Sequence, residues 1–83
     1  MKFLRMRPGF GEQLIAEGDA EVAEDHERLV EAFRRQLDDG MWAAIPVVTE
    51  SGRREAELVT SFEEVPRATE RVIFFPRAAG GGR

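Results

Sequence analysis

The chain has 83 residues, 42% of them apolar and 34% charged, with a net charge of −4 and no cysteine. That length holds one domain with one core, the missing cysteine excludes disulfides, thiolate metal sites and cysteine nucleophiles, and the acidic balance argues against a nucleic-acid binder. The charge is uneven: Glu12 to Gly40 carries ten acids against three arginines, and Arg67 to Arg83 four arginines against one glutamate. Patches of opposite sign can orient a partner. Lys2, Arg5 and Arg7 are followed by no long apolar run, so the expectation is a cytoplasmic protein with no signal peptide and no membrane partner.

Lys2 to Arg7 alternates polar and apolar side chains over part of its length, the period of a half-buried strand. Pro8-Gly9-Phe10-Gly11 reads as a turn, and Gln13 to Ala16 as the returning strand, with Phe10 exposed at the tip as a candidate partner contact. Asp19 is placed to cap a helix whose first turn holds Glu21 and Glu24. Val22, Leu29, Val30, Phe33 and Leu37 fall on one helical stripe, leaving Glu24, Glu27, Glu31 and Arg35 toward water. Glu24 with Arg28 and Glu31 with Arg35 are favourably oriented i,i+4 pairs, and Gly40 should end the helix.

Met41 to Val48 predicts a strand turning at Ser51-Gly52. Pro46 donates no ladder hydrogen bond, so this strand should lie at an edge, carry a bulge, or face no partner at that point. Arg54 to Phe62 is the return arm, with Ala56, Leu58 and Phe62 alternating against Glu55, Glu57 and Ser61. Glu63 to Glu70 reads as a loop or short helical turn. Arg71 to Phe75 is an unbroken apolar strand, expected to be central, buried on both faces and beside the first strand. The fold class is therefore α+β: about five strands in a mixed sheet, order β-β-α-β-β-β, packed on one helix, which is a β-grasp (ubiquitin-like) arrangement over residues 1–76.

Residues 77–83, Arg77-Ala78-Ala79-Gly80-Gly81-Gly82-Arg83, contain no large apolar side chain and are expected to form a flexible tail. The stretch from Glu70 through Phe74-Phe75-Pro76 to Gly80-Gly81 resembles the end of molybdopterin-synthase small subunits and related ubiquitin-like sulfur carriers. The resemblance covers about a dozen residues and implies a non-enzymatic carrier with no cofactor of its own. A separate adenylating enzyme, using ATP in trans, would activate a terminal glycine carboxylate. That carboxylate would then become a thiocarboxylate for a sulfur-accepting partner or an isopeptide-type amide to a target protein. Gly80, Gly81 and Gly82 are the candidate reactive tail; because Arg83 follows them, a processing protease acting at Gly82 and Arg83 is a further implied partner. Arg77, where such tails often carry an apolar residue or proline, joins Phe10 as a candidate partner-binding residue. The alternative is a noncovalent interaction module.

No other constellation carries chemistry. His26, the only histidine, has no nucleophile or facing carboxylate pair in the sequence pattern and reads as a boundary residue. Asp38-Asp39 and Glu63-Glu64 lack the alternating oxygen ligands of a calcium loop and read as solvated acids, so no metal site is expected. Trp42, with Met41, reads as core.

Overall fold

The alternation at the start of the chain yields strand β1 (Lys2–Arg7), paired antiparallel with β2 (Gly11–Glu17). These and the following elements come from a computed structural model that describes Met1 to Arg77. The expectations for Gly80, Gly81, Gly82 and Arg83 fall outside the described residues. Helix α1 (Ala23–Asp38) is followed by β3 (Met41–Val48), β4 (Arg54–Val59), the 3₁₀ turn Phe62–Glu64 and β5 (Arg71–Pro76). One five-stranded sheet results, in the order β2-β1-β5-β3-β4. β5 runs parallel to β1 and antiparallel to β3, so the sheet is mixed. The last strand is central and adjoins the first, as its composition predicts.

One face of the sheet is closed by α1. Phe3 from β1, Val72 and Phe74 from β5, and Met41, Ala43 and Ile45 from β3 meet Leu29 and Phe33 of the helix, with Phe62 filling the end. Phe3, Phe33, Phe62 and Phe74 touch edge to face, with ring centroids 5.3 to 6.2 Å apart. Such pairs add about 0.5–1.5 kcal/mol each beyond area burial.

Several local expectations are corrected. Val22, not Asp19, stands at the helix N-cap, and it offers no side-chain bond. Asp19 instead accepts from the Glu21 N–H at 2.9 Å, forming a turn ahead of the helix. Arg28 bonds Asp25, at 2.6 Å, and not Glu24, while the Glu31–Arg35 pair forms at 3.5 Å. The helical stripe is narrower than the spacing suggests: Leu29 and Phe33 are buried, but Val22 and Val30 are exposed. Gly40 ends the helix as expected, at φ +85°, where its N–H reaches the Leu37 carbonyl.

The β4 arm is also corrected. It ends at Val59, and the buried side chain is Val59, opposite Ala43, whereas Ala56 and Leu58 face out. Because a strand alternates with period two, a one-residue misreading exchanges its faces. Phe62 does reach the core, but from the 3₁₀ turn. Pro46 is tolerated in an interior strand because the β3–β5 ladder runs only from Met41 to Ala44. At Pro46, β3 has a partner on the β4 side alone.

Candidate functional site: the open sheet face and the root of the tail

Among the described residues, no helix lies over the second face of the sheet. β1 pairs Leu4 with Leu14 of β2 and with Ile73 of β5; Ile73 is opposite Ala44, and Ala44 opposite Leu58. An apolar row thus crosses all five strands. Its ends, Leu14 and Leu58, are 50% and 54% exposed. A row nearer the end of β5 adds Met6, Phe75 and Trp42, with Phe75 directly opposite Trp42. β5 is therefore buried on one face only: Val72 and Phe74 lie in the core, while Ile73 and Phe75 are half-buried on the open side. Trp42 likewise belongs to this face and not to the core.

Cations frame the row. Lys2 and Arg71 are neighbours in the β1–β5 ladder, and Arg54 stands opposite the exposed Val48 at the far edge. At the other end the Arg77 guanidinium lies over the Trp42 ring, 4.7 Å from its centroid. The Arg77 N–H reaches the Gly40 carbonyl at 3.3 Å. Backbone and side chain together fix where the chain leaves the sheet. A cation–π contact at such a site is worth about 0.5–1 kcal/mol.

Phe10 stands at the same end of the sheet, because β1 and β5 are parallel and the β1–β2 turn follows the end of β1. The turn closes with the Phe10 N–H on the Arg7 carbonyl at 2.8 Å, and Gly9 and Gly11 adopt φ of +82° and +77°. Such dihedrals are open to glycine at little cost. Phe10 is 82% exposed. A cleft lined by Arg5, Met6, Arg7, Pro8, Phe10, Met41 and Pro76 joins this turn to the end of β5. The two residues singled out from the sequence, Phe10 and Arg77, are thus brought to one end of the molecule. The Arg77–Trp42 stack and the five-strand apolar row were not foreseen. For the row, the signal was the alternation in β3, where Trp42, Ala44 and Pro46 share one parity.

The remaining candidates lie elsewhere. His26 is half-buried on the helix side, its ring edge-on to Phe62 with centroids 5.3 Å apart and its Nδ1 3.2 Å from the Ala20 carbonyl oxygen. Asp38 bonds Arg34 and Asp39 bonds Arg5. Glu64 closes the 3₁₀ turn, accepting from the Thr60 and Ser61 N–H groups and the Thr60 hydroxyl, and those bonds hold its carboxyl below the usual range. Asp25 is lowered by the Asp19 N–H and by Arg28. Both carboxylates have structural roles. Among the described residues, no group of acids or histidine is arranged to hold a metal ion, and no helix is long and apolar enough to cross a membrane.

No protein-family model, curated protein or solved structure matches this chain.

Proposed function

We propose that the chain is a ubiquitin-like protein modifier or sulfur carrier of β-grasp type, acting through a trimmed C-terminal glycine. The order β2-β1-β5-β3-β4, with its parallel central pair beneath one helix, supports the β-grasp reading. The observation that carries the functional reading is the root of the tail. The central strand ends at Pro76, and Arg77 is held on Trp42 at the margin of an uncovered apolar face. An enzyme seated on that face receives Gly80, Gly81 and Gly82 within a few residues of a fixed point. Glycine, lacking Cβ, can thread a narrow channel.

In this reading a protease first hydrolyses the Gly82–Arg83 or the Gly81–Gly82 bond. The exposed carboxylate oxygen attacks the α-phosphorus of ATP held by the activating enzyme, and pyrophosphate leaves. A sulfur donor or a target amine then attacks the acyl carbon and AMP departs. Phe10 and Arg77 serve as recognition residues beside the tail root. The chain itself needs no cofactor and performs no catalysis.

The second reading, a noncovalent accessory module, draws on the same apolar face, which can bind a partner without any tail chemistry. Removing residues 80–83 separates the two. The covalent reading expects the truncated chain to keep its fold and its partner binding but to lose every ATP-dependent adduct. Full partner-dependent activity of that truncation overturns it.

A further inference from the structure

The sheet has two free edges, and they differ. At β2 the pairing with β1 shifts between Phe3 and Leu4, which is a bulge, and α1 packs against the strand. Bulges and covering elements are the usual devices that stop an edge from recruiting another strand. At β4 the pairing with β3 is continuous from Arg54 to Val59, without bulge, glycine or proline. Every residue from Arg54 to Leu58 is exposed. Alternate N–H and C=O groups on the outer side of such a strand have no ladder partner.

The side chains state what fits there. Glu55 and Glu57 share the helix side of the sheet with Val59, and among the described residues neither carboxylate has a hydrogen-bond or ion-pair partner. Ala56 and Leu58 point to the open side, where Leu58 ends the apolar row. A second copy of β4 fits poorly. Antiparallel pairing centred on Ala56 sets Glu55 against Glu57, and centring on Glu55 or Glu57 sets that residue against itself. Like charges directly opposite are destabilising.

We infer that β4 is a docking edge for an extended segment of a partner protein in which lysine or arginine alternates with Val, Leu or Ile. The segment adds as a sixth strand. Its cations lie opposite Glu55 and Glu57, and its apolar side chains continue the row beyond Leu58. Main-chain bonds supply the attachment and the alternation supplies the selection. The inference is independent of the tail chemistry.

The test uses the full chain and a short synthetic peptide alternating lysine and valine, followed by amide chemical shifts and amide hydrogen exchange. The expected result is slowed exchange in β4, with shifts centred on β4 and β3 and a binding constant that weakens with salt. The double variant Glu55→Lys, Glu57→Lys, altered only at exposed positions, should lose about tenfold in affinity for this peptide, since two attractive pairs become repulsive. It should gain affinity for a peptide alternating glutamate and valine. A chain lacking residues 80–83 should bind the lysine peptide unchanged, so loss of the tail reading leaves this result intact. Shifts centred on Leu4 and Ile73, or on β2, overturn the inference. So does a double variant that binds both peptides as the parent does.

Discussion

The two faces of the sheet use similar residues to opposite ends. Beneath the helix, Phe3, Phe74 and Phe33 interlock with no exposure above 2%, and each ring is held by the others. On the open side, Leu14, Leu4, Ile73, Ala44 and Leu58 form a row just as apolar in composition but with no helix over it among the described residues. Ala44 is buried and Leu4 and Ile73 half-buried by their neighbours, Leu14 and Leu58 are exposed, and Lys2, Arg54, Arg71 and Arg77 stand around the row. The first arrangement makes the fold stable. The second leaves Leu14 and Leu58 in water, which a monomer's stability does not require and which the proposed partner binding would use. The helix turns Glu24, Glu27 and Glu31 to solvent on the other side, interleaved with Arg28, Arg34 and Arg35.

The contrast predicts a graded set of effects. Phe74→Ala empties the centre of the aromatic cluster and should cost about 3–5 kcal/mol, out of a total of about 5–15 kcal/mol for a domain; urea denaturation reads it. Acid probes the carboxylates separately, and only the direction of its effect is fixed. Asp25 and Glu64 have lowered values when folded, so their contribution is complete above the ordinary carboxylate value of about 4. It is lost as pH falls through the folded values. Thermal unfolding followed downward from pH 6 should show stability declining below about pH 4, and Glu64→Gln should flatten part of that decline. A curve unchanged by Glu64→Gln denies the capping bonds their role.

Arg77→Ala removes the stack on Trp42 and should lower stability by no more than about 1 kcal/mol. As Trp42 is the only tryptophan and the chain has no tyrosine, its fluorescence reports the change directly. Smallest of all, Leu14→Ser and Leu58→Ser should each shift stability by less than about 0.5 kcal/mol. They should nonetheless weaken partner binding. A loss of stability comparable to that of Phe74→Ala would erase the distinction between the faces.

The parts legible in the sequence are those where local chemistry and tertiary packing agree. The β1–β2 hairpin follows from Gly9 and Gly11, the helix end from Gly40, and the central β5 from its unbroken apolar run. Misreadings cluster where a residue's partner is remote. Val22 and Val30 extend the helical stripe by spacing, yet Val22 stands at the N-cap ahead of the first turn and both side chains are exposed. Ala56 and Leu58 look inward because Glu55 and Glu57 look polar, but β4 lies beyond the helix and both of its faces are wet. The acids therefore occupy the core side of the strand without desolvation, and Val59 alone reaches the core. Of the site, Phe10's exposure could be read from its turn. The Arg77–Trp42 contact could not, because it depends on the register between β3 and β5.

The proposed role rests on the tail, so the most direct measurement is the intact mass of the protein purified from its own host. The expected result is a population lacking Arg83, or Gly82 and Arg83 together, part of it carrying sulfur in place of a carboxylate oxygen or joined to another protein through its terminal glycine. Arg83 present on every molecule, with no adduct, contradicts it.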